Sequence, residues 1–461
     1  MSKALYTLLF LTASLSTVFL FTTSYYYLAP LPGIMILFFL VIALRPEWGF
    51  YAIIFLVPFT AYTSLNANRL LSLPKFLGLI LVVIIFFNAL LKGANEVSLK
   101  SNLWRPLFLF AIASLISALF SPFFPTPLDE IRLLLSAYLV FAMALIFRTP
   151  EMFETEMPLV LILSLTISSL LSIYGYVFNS EMFAMDVTGE SMKRGVGGVN
   201  NPNHFASMII FSLPLVFHGI IHSATKPRRL LFLAAMVINV TAVVLTFSRS
   251  GALVLVAVLS LLVLEYYKKL RPRTVGLASA AVLAIALVIF VSVPTAYWER
   301  QQTVSRGDDR SVARRQSYLT VALSAFQEKP ILGHGPGSFS LLYGSSEISR
   351  KFSGQGDGSR DAHNTYVEAA IGVGAVGLVL FIFLIVKALK NFGRAREIFK
   401  ETGRNDLFHL AGAYRASFLS VLLYYFMLSR FTFKYFWLSL ALSQAALALA
   451  QTLPTPKKEN D

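Results

Sequence analysis

Long apolar stretches recur along almost the whole chain, and this feature limits its fold more than any other. A helix needs about 20 apolar residues to cross the hydrocarbon core of a bilayer. Only 14% of the 461 residues are charged and 56% are hydrophobic, whereas soluble domains average about 25% charged residues. The sequence therefore predicts an all-α, polytopic transmembrane helical bundle that forms a single membrane domain over residues 1–461.

Hydropathy divides the chain into about 14 apolar segments, and we expect about 12–14 of them to be helices. Only Arg45, Pro46 and Glu47 separate the second segment from the third, so one of those two could be re-entrant. The first segment is read as a helix, because no small-residue cleavage site follows it. The segments are 5–22, 31–45, 48–63, 74–92, 104–121, 129–147, 157–178, 203–221, 230–248, 251–267, 275–294, 364–386, 407–428 and 432–451.

Lysine and arginine occur in alternate loops, which predicts the orientation of the helices. With a cytoplasmic N-terminus, the basic loops at 226–229, 268–273 and 387–404 and the short tail 452–461 all lie in the cytoplasm. The net charge of +15 then reflects these loops and not binding to nucleic acid. The same orientation places one long loop, 295–363, outside, where a loop of this length is usually functional.

Two polar motifs on the outer face contain an arginine. Residues 192–208, MKRGVGGVNNPNHFASM, include Arg194 and a turn-rich helix entry in which Asn203 is predicted as the N-cap; a plain loop is the alternative. Residues 245–256, LTFSRSGALVLV, place Arg249 between two apolar segments, which is costly unless the side chain is paired or at the interface. Arg249 suits a phosphate ligand, although it could simply extend to the interface.

The long outer loop carries several arginines and no convincing metal site. Asp308 and Asp309 are adjacent carboxylates in a charged segment, so we interpret them as solvated and expect no bound metal. The turn GHGPGS lacks the Gly-Lys-Ser/Thr of a phosphate-binding P-loop, and the absence of cysteine excludes disulfides and thiolate ligands. The arginines are Arg306, Arg310, Arg314 and Arg315.

The stretch DAHNTYVEAAIGVGAVGLVLF, residues 361–381, places His363 where the outer loop re-enters the membrane. An imidazole can take up a proton near neutral pH, and Asn364 and Glu368 lie beside it. A purely structural histidine is the alternative interpretation. The glycines Gly372 and Gly374 are predicted to allow close helix packing, as is Gly377.

These motifs occur in a characteristic order: Arg-Gly with Asn-Pro-Asn, Ser-Arg-x-Gly, Arg-x-x-x-Leu-x-x-Ala-Leu, Lys-Pro-x-x-Gly-x-Gly-Pro-Gly-Ser-Phe, and Ala-His-Asn-x-Tyr followed by Gly-x-x-Gly-Leu. In this order they resemble the bacterial O-antigen ligase and O-antigen polymerase superfamily of integral membrane glycosyltransferases. The resemblance covers residues 190–385 and implies a glycosyltransferase C-like fold in the inner membrane.

The resemblance also implies a reaction on the periplasmic face. A glycan is taken from undecaprenyl diphosphate without metal or cofactor and with inversion; a ligase passes it to lipid A-core, and a polymerase passes it to another carrier-linked repeat. By motif, Arg249 and Arg315 hold the diphosphate and His363 assists the acceptor hydroxyl. The family usually has a tryptophan four residues after the second arginine, where this chain has Leu319, so Arg310 or Arg314 could replace Arg315. Further candidate site residues are Arg194, Asn203, Asn364 and Glu368.

A ligase acting on lipid A-core is the favoured prediction, with membrane lipids and glycans as partners. The first alternative is a polymerase of O-antigen, capsule or exopolysaccharide repeats. A polytopic transporter is a more distant alternative; Arg415 within an apolar segment favours it, but the sequence shows no internal repeat. A metal-dependent glycosyltransferase would need a carboxylate pair in the first outer loop, TTSYYYLAPLPG, which has none.

Overall fold

The computed structural model describes residues 33, 40–61, 63, 72–92, 99–186, 193–266, 310–353 and 360–454. Several predicted features lie outside the described residues. They are the apolar segments 5–22 and 275–294, the first outer loop, the basic loop 268–273, Arg306, Asp308, Asp309 and most of the tail 452–461.

The described residues are almost entirely helical, which confirms the predicted all-α class. A two-stranded antiparallel hairpin pairs Ala184 with Gly195 and Asp186 with Lys193. The elements are α1 Pro46–Phe55, α2 Leu73–Lys92, α3 Trp104–Leu119, α4 Pro127–Ile146, α5 Met157–Val177, β1 Ala184–Asp186, β2 Lys193–Gly195, α6 Pro202–His222, α7 Lys226–Leu245, α8 Arg249–Tyr266, α9 Arg310–Glu328, α10 Phe339–Ser345, α11 Glu347–Ser353, α12 Thr365–Glu401, α13 Asn405–Tyr424 and α14 Lys434–Thr452.

The chain divides into two compact units. In the first, residues 1–56 and 63–98, α1 packs against α2, and Gly49 allows a close approach to Leu81. The second unit comprises residues 57–62 and 99–461 and holds all the candidate site residues. The expectation of a single membrane domain stays a prediction.

Six described helices are long and apolar enough to cross a membrane, which confirms a polytopic membrane bundle. They are α6, α7, α8, α12, α13 and α5 together with the π-helical turn Met152–Glu156 that precedes it. Burial separates them: 72% of the apolar window of α6 and of α13 is buried, against 22% for α7. An apolar helix that is buried on most sides lies at the centre of a bundle, so α6 and α13 are central.

The long outer loop forms α9, α10 and α11 in its described part, and α9 occupies the amphipathic stretch seen in the sequence. Tyr318, Phe339 and Tyr343 make an aromatic cluster that packs against Ile371 of α12. The hydroxyl of Tyr343 lies 2.8 Å from that of Ser317. The loop is thus packed directly on the N-terminal part of α12.

Helix α12 is broken at Gly374, whose φ of 70° and ψ of −171° are not helical. The turn GHGPGS fills the break: His334 N donates to Ile371 O at 2.8 Å and Gly335 N to Gly372 O at 2.9 Å. Ala375 N donates to Pro330 O at 2.8 Å. Irregular backbone at membrane depth is tolerated when protein groups satisfy it in this way.

The predicted role of the α12 glycines in helix packing is wrong for Gly372 and Gly374. A Cβ on Gly374 would overlap the carbonyl oxygen of Ile331, and one on Gly372 would lie 3.2 Å from Pro336 Cα. On the side where a Cβ would lie, both glycines face the segment Ile331–Pro336 and not a neighbouring helix.

Candidate functional site

His363 lies in the last turn of chain before α12, in the left-handed region with a φ of 51°. A residue other than glycine is uncommon there and is often found at functional sites. The residues that follow fix the conformation, because Asn364 N donates to Ser429 Oγ at 3.1 Å and Thr365 N to Tyr425 O at 2.8 Å. The imidazole is therefore held at a defined place at the mouth of the helix.

Asn364 is the N-cap of α12 and not a free polar group. Its side-chain oxygen accepts hydrogen bonds from Tyr366 N at 3.0 Å and Val367 N at 3.1 Å, as expected for an N-cap. Glu368, one turn further, accepts from Ala362 N at 3.2 Å. The structure therefore places both candidates where they order the segment that carries His363.

The surroundings of His363 favour a neutral imidazole. Burial of the ring lowers its pKa below the usual histidine value, and the positive charge of Arg315 lowers it further. Asp361 acts in the opposite direction but is the smaller influence. The ring lies 5.9 Å from the ring of Tyr318 on α9, between their centroids. A neutral imidazole can accept a proton.

Arg315 lies on the exposed side of α9, close enough for its charge to act on His363. The alternatives Arg310 and Arg314 are placed in the first turns of the same helix, and their side chains lie outside the described residues. The structure thus brings the second predicted diphosphate arginine together with the predicted base.

Arg249 is the first residue of α8. The buried side chain of Arg194 supports the turn that precedes α8. Arg194 donates from Nε to Thr246 O at 2.7 Å and from Nη2 to Phe247 O at 3.4 Å. Its Nη2 also donates to Asn203 Oδ1 at 3.2 Å. Arg194 and Asn203, both predicted as site residues, therefore hold the turn that presents Arg249.

The charge of Arg249 sits at the positive end of the α8 dipole. A cation in this position is unfavourable by about 0.3–1 kcal/mol. A bound anion would offset the unfavourable interaction.

The prediction that Asn203 caps α6 is wrong. Asn201 is the N-cap, and its side chain accepts from Asn203 N at 2.9 Å and His204 N at 3.2 Å. Pro202 explains the difference. Proline is favoured at the first helical position, so the N-cap is the residue before Pro202 and not the residue after it.

Two residues that the sequence analysis did not single out join these groups. Arg430 and His363 both interact electrostatically with His204, which is buried in the first turn of α6. Arg430 N donates to Thr365 Oγ1 at 3.2 Å, which ties the loop after α13 to the start of α12. The sequence could have pointed to Arg430, because it is an arginine within the aromatic stretch SRFTFKYF. For His204 the sequence offered only its position directly after the Asn-Pro-Asn motif.

The described residues contain no group of three or more His, Asp or Glu side chains that could hold a metal ion. The predicted carboxylate pair Asp308 and Asp309 lies outside those residues. His334, by contrast with His363, is buried, and its Nε2 lies 2.7 Å from Ala325 O. It is bound within the GHGPGS turn, as expected of a structural histidine.

Part of the chain is similar to a known family. Residues 234–382 match the family described as O-antigen ligase, and this segment includes Arg249, Arg315 and His363. An uncharacterized protein of Haemophilus influenzae is 23% identical over 196 residues, which are 40% of this chain and 49% of that protein. The chain thus spans about half the length of the curated relative it matches. Residues 234–382 of the chain are thus similar to the O-antigen ligase family.

Proposed function

We propose that the protein transfers a glycan from undecaprenyl diphosphate to a sugar hydroxyl on the periplasmic face of the inner membrane. One observation carries the proposal: the charge of Arg315 acts on His363, whose half-buried ring is held in a fixed backbone conformation at the start of α12. The turn of Arg249 and the start of α6 adjoin them through Arg194, Asn203 and His204.

The reaction is a displacement at the anomeric carbon. The acceptor hydroxyl oxygen forms a bond to this carbon from the face opposite the phosphate, so the configuration inverts. The bond between the anomeric carbon and the phosphate oxygen breaks, and its electron pair leaves with the carrier diphosphate. His363 accepts the hydroxyl proton as the nucleophile attacks, a contribution of about 10²–10⁴-fold in rate.

The arginines act on the leaving group. Negative charge grows on the diphosphate as the glycosidic bond breaks, and guanidinium groups bind phosphate oxygens through two parallel hydrogen bonds. Groups that are fixed in advance around developing charge usually make the largest contribution to catalysis. In this proposal Arg249 and Arg315 contact the diphosphate, and no metal is needed.

The acceptor is lipid A-core in our proposal, as the description of the matching family favours a ligase. A polymerase would use the same donor and the same chemistry and differ only in the acceptor.

The accumulated products after deletion of the gene test the proposal. A ligase predicts long glycan on the carrier and lipid A-core without glycan. Single repeats on lipid A-core would identify a polymerase of O-antigen. Unchanged surface polysaccharide and unchanged carrier-linked glycan would contradict glycan transfer of either kind.

A further inference from the structure

A second polar cluster lies at the end of the helices away from His363. Glu265 on α8 is sixteen residues beyond Arg249, which is about 24 Å along the helix. Arg396 on α12 is twenty-two residues beyond the break at Gly374, which is about 33 Å along the helix. Arg415 of α13, to which the proposed reaction gives no role, belongs to this end of the molecule.

One face of α13 brings the cluster together. His409, Gly412 and Arg415 are each three residues apart and so lie on the same side of the helix. A Cβ on Gly412 would lie 2.7 Å from Glu265 Oε1 and 3.5 Å from Arg396 Cζ. Glycine therefore lets the side chains of two neighbouring helices reach the surface of α13.

Glu265 is shared among its neighbours. Its Oε1 lies 2.5 Å from Arg396 Nη2 and 3.6 Å from His409 Nδ1. The guanidinium carbon of Arg396 lies 4.2 Å from the ring centroid of Phe408, which fixes the plane of the group. The Glu265 carboxylate is therefore already paired with Arg396, independently of Arg415.

The cluster carries more positive than negative charge. Arg415 and Glu265 both interact electrostatically with Arg396, so two guanidinium groups face a single carboxylate. In the part of the chain that the structure describes, Nε of Arg396 and Nε of Arg415 are buried without a hydrogen-bond partner, as is Nδ1 of His409. Buried donors and charges without partners are costly, and an anion with several oxygen atoms would satisfy them.

We propose that Glu265, Arg396, His409 and Arg415, the Arg396–Arg415 cluster, form a binding site for a phosphate group, and that the headgroup of an anionic phospholipid supplies it. The Arg396 side chain is 15% exposed and Arg415 is half-buried, so part of each residue is accessible from outside the protein. From Thr365 to Arg396 the helix advances about 46 Å, which is close to the thickness of a bilayer with its headgroups. A cluster at that distance from the His363 end suits a headgroup of the opposite leaflet. Arginine binds phosphate oxygens bidentately. The inference does not depend on glycan transfer.

The test is a lipid titration of the purified, delipidated full chain in a non-ionic detergent. The rise in unfolding temperature is measured against the concentration of phosphatidylglycerol, phosphatidylcholine or inorganic phosphate. We expect the wild type to bind phosphatidylglycerol more tightly than phosphatidylcholine. Arg415→Gln and Arg396→Gln should each weaken binding of phosphatidylglycerol about tenfold or more, the value of one charge-assisted hydrogen bond.

Arg394→Gln is the matched control, because Arg394 is exposed on the same helix and pairs with Glu397. It should bind phosphatidylglycerol as the wild type does. Equal stabilisation by inorganic phosphate and by phosphatidylglycerol would support the anion site with soluble phosphate as its source. Equal effects of the two lipids on the wild type would overturn the proposal even if Arg415→Gln does not fold, as would undiminished phosphatidylglycerol binding by Arg396→Gln.

Discussion

His363 combines a fixed backbone, a half-buried ring and a nearby cation, and these have a measurable consequence. A positive neighbour destabilises the imidazolium, so Arg315 helps to keep the imidazole neutral to lower pH. A general base works only when it is deprotonated. The wild-type rate should therefore fall only at a pH below about 6.5, the usual histidine value.

Replacing Arg315 by glutamine should move this acid limb to higher pH. Without the positive charge the imidazolium is less destabilised, so the pKa of His363 rises and a higher pH is needed to deprotonate it. The measurement is kcat/KM against pH for the wild type and Arg315→Gln. A loss of rate with no movement of the acid limb would mean that Arg315 does not act on the catalytic base.

Arg249→Ala should lower the rate of transfer more than tenfold, equivalent to about 1.4 kcal/mol or more of transition-state stabilisation. Arg249→Lys should recover little activity, because an ammonium group lacks the bidentate geometry of a guanidinium. Arg350→Ala is the control, since Arg350 is exposed on α11. Equal losses for Arg249→Ala and Arg350→Ala would indicate general electrostatics and not a diphosphate contact.

At the scale of elements, the break in α12 joins the outer loop to the membrane helices. Gly374 should not tolerate a side chain: its positive φ costs another residue about 1–2 kcal/mol, and a Cβ would overlap the carbonyl oxygen of Ile331. Gly374→Ala should lower the unfolding temperature, and the transfer rate should fall with it because the turn positions α9.

Gly393→Ala is the comparison within the same helix. A Cβ at Gly393 would meet nothing within 4 Å, and alanine favours a helix over glycine by about 1 kcal/mol. Its unfolding temperature should be unchanged or higher. A stable, active Gly374→Ala protein would show that the break in α12 is dispensable.

The sequence predicts helices much better than it predicts their ends and junctions. Apolar length alone located α6, α8 and α13, because a segment in lipid must be helical. The N-cap of α6 was predicted two residues late, and the break at Gly374 was not anticipated. Both depend on local backbone hydrogen bonds, which hydropathy does not report.

The candidate site shows the same limit. Motif order singled out Arg249, Arg315 and His363, which lie within the matched residues 234–382; their roles stay predictions. The hydrogen bonds that hold the segments around these residues could not be predicted. Those from Arg194 to Thr246 and from Arg430 to Thr365 join residues that are 52 and 65 positions apart.

At the scale of the whole molecule, the orientation in the membrane is a prediction that cysteine labelling can test. The natural chain has no cysteine, and Ser345 and Lys400 are both exposed. In intact spheroplasts an impermeant thiol reagent should label Ser345→Cys at once and Lys400→Cys only after permeabilisation. The reverse pattern would place the His363 site in the cytoplasm and contradict the proposed threading.

Transfer by the purified protein, reconstituted with carrier-linked glycan and lipid A-core, tests the central claim most directly. The wild type should extend lipid A-core in the presence of a chelator, because arginines and not a metal stabilise the leaving diphosphate. His363→Gln keeps the size and hydrogen bonding of the side chain but cannot take up the proton. It should bind the carrier-linked donor, unfold at the wild-type temperature and transfer about 10²-fold more slowly or worse. Wild-type turnover by this folded, donor-binding variant would contradict the account.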